Sequence, residues 1–543
     1  EELRVRGRFG ITKSNEQTRK FRSPFNSEFA SASDDADRGS YEETDSKIFK
    51  YDGEFSVTYG KLFNEKHMIN AVGGLRFNQN GSNKSGYKVQ GFVDDEFSNP
   101  AFALGYQKDG KPTYVDSKNR SVSYYLNFGY SYNDRYLLDL NYRSDGSSVF
   151  GSDKRFTDTW SVGFGWNVHK EQFFDTQFIN LLKLRASVGN PGNQNFNDYI
   201  STRVYQYNTD NMNVFGSSAI ISNLGNQGLK WQKTLDWNFG FDAVLINNRF
   251  KLNFDYFIKD TDPLLVYIGT PSSTGTKTIP RNVGKQITKG VTLSLNYYIL
   301  RMEDLLWSVN ANLRHQTSEF RNVSEALAKF NLDNRNRNLT RYYDGGSPTD
   351  LWAVRSCGID PATGREIFLD KNGNQTFVHD YDDEQVVGNS DPDIEGVIGT
   401  SFYYKGFSAS INMRYRLGGQ VFMQTLYDKV ENLSSSKKWE NLDKRALYDR
   451  WKQPGDNAKF KAISDSEVTP ISSRFVEDNN VLTGESISLG YESTGKWLSH
   501  IGASSMSFRA YMNDIFRIST VKNERGLSYP FARSVSFSLG VVF

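Results

Sequence analysis

The sequence predicts an all-β protein, a transmembrane antiparallel β-barrel of which about 16 strands are written in this chain. Three observations predict it. Apolar and polar residues alternate with period two over segment after segment, mostly of the roughly 9–11 residues that cross a bilayer when tilted. The connections between segments alternate short and long, as periplasmic turns and extracellular loops do in such barrels. Aromatic residues reach 14% in a chain also rich in Asn, Ser, Gly and Asp, a mixture that suits strands with one greasy and one wet face.

The segments lie near 2–11, 52–61, 67–78, 122–132, 136–143, 160–168, 181–189, 234–246, 249–260, 290–300, 305–317, 398–404, 407–417, 484–492, 505–513 and 533–543. Val122, Tyr124, Leu126, Phe128, Tyr130 and Tyr132 share one side of their segment, because successive strand side chains point to opposite faces. Phe407, Ala409, Ile411, Met413, Tyr415 and Leu417 do the same against Ser408, Ser410, Asn412, Arg414 and Arg416. Short connections are expected at Asn133–Arg135, Asn247–Asn248, Arg301–Asp304 and Lys405–Gly406, and long ones over 12–51, 79–120, 190–233, 261–289, 318–397 and 418–483. Trp160, Trp166, Tyr130 and Tyr132 sit near segment ends, where interfacial girdles would place them.

In the last segment Val535, Phe537, Leu539, Val541 and Phe543 alternate with Ser534, Ser536, Ser538 and Gly540. Phe537, Leu539, Val541 and Phe543 are therefore expected to face lipid and to serve as a membrane-insertion signal, with both ends of the chain at the periplasmic rim. Glu1 onward already reads as a strand rather than a leader.

Several classes are set aside. The balance of 65 basic against 63 acidic residues points to no nucleic acid. A single cysteine, Cys357, makes no internal disulfide. No apolar run reaches the ~18 residues of a membrane helix. His67, His169, His315, His379 and His500 are scattered without ligand spacing, and no hydrolase, zinc-protease or phosphate-loop motif is present, so no enzyme and no cofactor is expected. Asp370-Lys371-Asn372-Gly373-Asn374 has the spacing that begins a calcium loop, but Tyr381 stands where its bidentate Glu belongs, and the Asn-Gly pair reads first as a hairpin turn. Asp380–Glu384 reads as a solvated acidic loop face, and Asn190–Asp198 as turn-forming residues that could line a substrate path.

The stretches RSDGSSVFGSDKRF (143–156), WSVGFGWNVHKEQFF (160–174) and LLKLRASVGNPGNQNF (181–196) resemble the SusC/RagA-like group of TonB-dependent outer-membrane transporters of Bacteroidota. In the same order follow NVGKQITKGVTLSLNY (282–297), GIDPATGREIFLDKNGN (358–374), VVGNSDPDIEGVIGTSFYYKGFSASINMRYRLGGQVF (386–422), RWKQPGDN (450–457), SSRFVEDNNVL (472–482) and the terminal strand. Thr292 and Thr483-Gly484-Glu485 depart from the family pattern. The resemblance implies a 22-stranded outer-membrane barrel in which residues 1–543 form the C-terminal part. It also implies a plug domain, TonB box and first strands that lie upstream or on a separate chain. It further implies energised import of oligosaccharides or oligopeptides, a SusD-like lipoprotein lid, and a pull from TonB–ExbB–ExbD.

On that reading Arg143, Asp145, Arg414 and Arg416 would line the wall near its outer end, either contacting cargo or pairing with neighbouring charges. Tyr342, Tyr343 and Trp352 would stack on cargo or pack within their loop. A passive 16-stranded porin and a scaffold barrel in a larger outer-membrane complex are the alternatives.

Overall fold

The computed structural model describes residues 2–107, 110–148, 155–174, 176–193, 202–214, 216–226, 228–230, 232–270, 272–276, 278–433, 442–522 and 532–543. Its main sheet has 18 strand segments, of which Gly105–Tyr106 and Gly192–Asn193 are two-residue stubs, leaving sixteen long strands. In chain order these are β1 (Leu3–Arg22), β2 (Ser40–Phe63), β3 (His67–Gln90), β4 (Thr113–Tyr132), β5 (Tyr136–Ser147), β6 (Phe156–Asn167), β7 (Ile179–Asn190) and β8 (Gln232–Leu245). They continue as β9 (Phe250–Thr261), β10 (Lys285–Arg301), β11 (Leu305–Arg321), β12 (Ile394–Tyr404), β13 (Phe407–Leu417), β14 (Val481–Ser493), β15 (Ser505–Ser519) and β16 (Val535–Val542). Each of the sixteen expected segments overlaps one of these strands. Antiparallel strands of this kind are the solution open to a chain that must satisfy every backbone N–H and C=O inside lipid without helices.

Two compact units are distinguished. The first comprises Glu1–Phe164, Val188–Thr234 and Pro263–Asn282, and the second Gly165–Ser187, Leu235–Asp262 and Val283–Phe543. In the first, β1 to β5 form an antiparallel meander whose register sets Val5, Val57, Gly73, Leu126 and Tyr142 in one row. The opposite face carries rows such as Arg8, Glu54, Arg76 and Ser123. In the second, the apolar row Leu295, Ala311, Ile398 and Met413 lies beside Asn310, Gly399 and Asn412 of the other face.

The first two long connections differ from expectation. Residues 12–51 and 79–120 are mostly not loop. The β1–β2 ladder runs on from Lys13↔Phe49 to Arg22↔Ser40, and β3–β4 from Gly81↔Lys118 to Gly86↔Thr113. Both faces of this extension are polar, as Ser14, Asn15, Glu16 and Gln17 illustrate, so period-two hydrophobicity gives no sign of it. Beyond the membrane the backbone ladder continues, joined at its far end by the Phe21, Tyr41, Val89 and Phe92 cluster and by Gln17, Tyr41 and Tyr87 donating to Glu43.

The short turns form where expected. Asn133 (φ 51) and Asp134 (φ 52) take the left-handed conformation of a type I′ hairpin turn, as do Asn64 (φ 48) and Glu65 (φ 58) between β2 and β3. Lys405 (φ 44) and Gly406 (φ 90) close β12 onto β13.

In β16, Phe537 and Leu539 are 69% and 67% exposed on the apolar face, Phe543 follows at 84%, and Phe537 stacks on Phe508 of β15 at 6.1 Å. Val541 is exposed on the same face.

Placing a charge on the apolar row should separate the two faces. Leu126→Arg is expected to lower stability in lipid vesicles by about 2–4 kcal/mol, if it lies at mid-bilayer, while Asn127→Arg on the other face is tolerated. Urea unfolding of the vesicle-inserted chain reads both.

Candidate functional site

The two longest connections, 322–393 and 418–480, fold together within the second unit. The first opens with α1 (Ser324–Asp333), a helix that period-two scanning does not detect. Asn331 of α1 is clamped to Tyr342, donating from Nδ2 to its carbonyl and accepting from its N–H, both at 2.8 Å. Small ladders follow: Asp350–Ala353 pairs with Gln385–Asn389, and Arg355–Ile359 with Glu366–Leu369. In the second connection Gln420–Phe422 pairs with Val476–Asp478. The two connections are joined by a parallel bridge between Val354 and Ser472, with Ser473 N donating to Val354 O at 3.0 Å.

This cap has its own interior. Tyr427, Val430, Phe460 and Phe475 form a buried cluster, with Phe422, Leu426 and Ile471 packed against it. Beside the cluster lies a buried charge network. Arg474 Nη2 donates to Glu431 Oε1 at 2.6 Å and to Glu366 Oε2 at 3.0 Å. Glu366 also accepts from Ser472 Oγ at 2.5 Å, and Glu431, 1% exposed, accepts from Thr469 Oγ1 at 3.0 Å. Burial alone would lower the Arg474 guanidinium, but the two carboxylates outweigh it and raise it. A second pair, Arg341 to Glu384, is bidentate at 2.7 and 2.9 Å, with Arg341 only 2% exposed.

Gly364 shows why the cap tolerates little change. At φ +72 it turns the chain in a left-handed conformation, and an added Cβ would lie 2.5 Å from the Trp451 ring. That ring is held in place by Nε1 donating to Pro361 O at 2.9 Å.

The residues expected to meet cargo fall into three groups. Arg143 and Asp145, in the first unit, bind each other: Arg143 Nη2 sits 2.7 Å from the buried Asp145 carboxylate, which also accepts from Ser123 Oγ at 2.5 Å. Arg414 and Arg416, in the second unit, lie on the polar face of β13, pairing with Glu485 of β14 and, at 3.5 Å, Glu395 of β12. All four thus engage in ion pairs with neighbours. Tyr342 is packed between Phe320 and Phe330, at 5.2 Å from each. Tyr343 and Trp352 form a pair with centroids 4.8 Å apart, and Tyr343 keeps 37% of its surface open.

Sequence reading missed the Arg185 cluster on β7, which meets Asp242 at 2.9 Å and Asp255 at 3.0 Å. It also missed the Arg474 network, although Glu366, Ser472 and Arg474 sit in the quoted stretches GIDPATGREIFLDKNGN and SSRFVEDNNVL. The departure Thr483-Gly484-Glu485 has a structural consequence. Against β13, Asn412 pairs with Ser486 and Met413 with Gly484, so Glu485 is the extra residue of a β-bulge and meets Arg414.

Asp370–Asn374 is a hairpin turn, with Phe368 paired to Thr376. The Asp370 carboxylate accepts from Asn372 N, Asn374 N and Asn374 Nδ2, at 2.8 to 2.9 Å, and these donors hold it below the usual carboxylate range. In the acidic stretch, Asp382 and Glu384 meet Arg335 and Arg341. Asn190–Asp198 lies largely outside the described residues.

The family model "TonB dependent receptor-like, beta-barrel" matches residues 2–350. The chain belongs to that family. The barrel is accordingly an outer-membrane one. It is 25% identical over 520 residues to a TonB-dependent receptor of Formosa agariphila, covering 86% of this chain and 49% of that protein. It is 26% identical over 453 residues to the TonB-dependent receptor SusC of Bacteroides thetaiotaomicron, covering 78% and 44%. The structure of the RagAB peptide transporter superposes with a TM-score of 0.82 at 21% identity, over 96% of this chain and 57% of that one. The chain therefore spans about half the length of the curated relatives it matches.

Two outcomes are expected in the cap. Arg474→Met strands Glu366 and Glu431 without a counter-charge, and should weaken the cap by about 3–5 kcal/mol; limited proteolysis within 442–480 reports it. His379, packed at 5.1 Å from Phe368 and 4.7 Å from Tyr381, is held below its ordinary value, first by burial. Protonation therefore favours the opened cap. Cap stability should be level above the free-imidazole value of about 6.5 and fall as the pH drops below it. Hydrogen exchange of residues 366–384 at pH 7.5 and 5.5 measures this, and His379→Gln should flatten the difference.

Proposed function

We propose that this chain forms barrel wall and outer cap of an energised importer of oligomeric nutrients. Cargo would be captured on the cap side beneath a SusD-like lipoprotein, and released inward when TonB, driven by ExbB–ExbD, pulls on a plug. Family membership and the similarity to SusC support the transport class. The observation that carries the reading is the cap itself. A passive pore gains nothing from joining its two longest connections around a buried Arg474–Glu366–Glu431 network. A receptor that must hold a lid and a ligand surface in fixed geometry does.

The polar face favours neither sign of charge in its cargo. Arg143 pairs with Asp145, Arg185 with Asp242 and Asp255, and Arg414 with Glu485, so these guanidiniums hold in-wall partners. Oligosaccharide and oligopeptide both remain suitable. Tyr343 and Trp352 offer ring surface to sugar faces or to peptide side chains.

Uptake of fluorescent oligosaccharide and oligopeptide pools by cells carrying the gene should identify the class. Uptake should stop when the proton gradient is collapsed, whereas continued uptake would mark a passive pore and overturn the proposal. Trp352→Ala is expected to weaken capture of the active pool by roughly fivefold.

A further inference from the structure

In the first unit, an open groove of about 280 Å³ lies on the outward, apolar side of the β1–β4 sheet, where its strands run past the membrane. It is lined by Lys13, Lys47 and Lys118, with Asn15, Asn83 and Asp116. Strand register fixes the arrangement. Lys13, Phe49, Gly81 and Lys118 form one row, and Asn15, Lys47, Asn83 and Asp116 the next. Within each strand these residues continue the lipid-facing series, two positions beyond Ile11, Tyr51, Gln79 and Arg120.

The change of chemistry falls within three adjacent rows of the four strands, at Gln79 and Arg120, then Lys13, then Lys47. Along β1 the exposed residues Leu3, Val5, Phe9 and Ile11 give way to Lys13. Along β4, read in the same direction, Leu126, Tyr124 and Val122 give way to Arg120 and Lys118. An aromatic belt rises to the level of Lys13 and Lys118: Phe9–Phe77 at 6.5 Å, Tyr51–Phe77 at 6.4 Å and Phe49–Tyr51 at 6.3 Å. Aromatic rings of this kind mark the boundary between hydrocarbon and headgroups; Lys13 and Lys118 sit level with the belt's upper ring, Phe49, and Lys47 one row above. Gly81 leaves the groove floor open between Phe49 and Lys118, since a Cβ there would meet only the Phe49 carbonyl at 3.5 Å. Lys13, Lys47 and Lys118 are exposed, and no carboxylate lies within ion-pair distance of any of them among the described residues. This contrasts with Arg143, Arg185, Arg414 and Arg416 on the polar face, which have partners.

We propose that this groove binds the phosphate-bearing headgroup of an outer-leaflet lipid. The acyl chains would run down the apolar face over Phe9, Phe77 and Leu126. The phosphate would sit above Gly81 among the three ammonium groups, and Asn15 and Asn83 would offer hydrogen bonds to the remaining headgroup oxygens. The site is fixed to one sector of the barrel and lies on the opposite side of the sheet from the cargo path.

Native mass spectrometry of the full chain in detergent tests this, with monophosphorylated lipid A, phosphatidylglycerol and phosphatidylcholine as probes and inorganic phosphate as a fourth arm. The two phosphate-bearing anionic lipids are expected to bind at least tenfold more tightly than phosphatidylcholine. The triple variant Lys13→Gln, Lys47→Gln, Lys118→Gln should lose on the order of a hundredfold in that affinity, at roughly fivefold per lysine. Gly81→Phe, which keeps every charge and fills the floor, should also lose the lipid. Lys84→Gln, on the other face of β3, should not. Equal retention of phosphatidylcholine, or unchanged binding by the triple variant, overturns the proposal. Inorganic phosphate binding as tightly as the lipids would reduce the groove to an adventitious ion site only and overturn it too.

Discussion

Backbone hydrogen bonding inside lipid is the constraint on which this structure rests. Hydrocarbon offers no water, so each strand must lend its N–H and C=O groups to a neighbour across its whole membrane path. Antiparallel neighbours with tight turns do this with the least chain. The alternation of side chains is the second half of the same solution: one face dissolves in lipid while the other carries Arg, Asp, Ser and Asn. The rows Val5–Val57–Gly73–Leu126 and Arg8–Glu54–Arg76–Ser123 are two faces of one ladder.

Outside the bilayer the rules change. Water can satisfy either face, so strands are free to continue as polar ladders, as β1 to β4 do. Other connections leave the sheet and build a core of their own, as 322–393 and 418–480 do. There the ordering agent is a set of buried charges around Arg474, next to Phe475 and Tyr427. Buried ion pairs are expensive to desolvate and hold well only when each partner is satisfied. Ser472 and Thr469 supply that satisfaction for Glu366 and Glu431.

The charges on the polar face and those at the upper edge of the aromatic belt behave differently. Facing inward, Arg143, Arg414 and Arg416 are neutralised by residues on their own or adjacent strands. Facing outward, Lys13, Lys47 and Lys118 stand without carboxylate partners at the level of lipid headgroups. The same residue types thus serve as wall structure on one face and as a candidate lipid contact on the other.

The sequence by itself determined the strand count, the alternation of turns and loops, the lipid-facing series of the last strand, and the kind of barrel. Each is a local property, written in period two or in a contiguous motif. Tertiary structure decided the rest. Arg474 and Glu366 are 108 residues apart in the chain, and Arg341 reaches Glu384 across 43 residues. Extension of β1 through Lys13–Arg22 was hidden because both its faces are wet and hydrophobic alternation stops at the membrane boundary. The Glu485 bulge was hidden because a register slip depends on two neighbouring strands at once. Patterns set by one solvent boundary can be read along a single chain; pairings that close across many residues cannot.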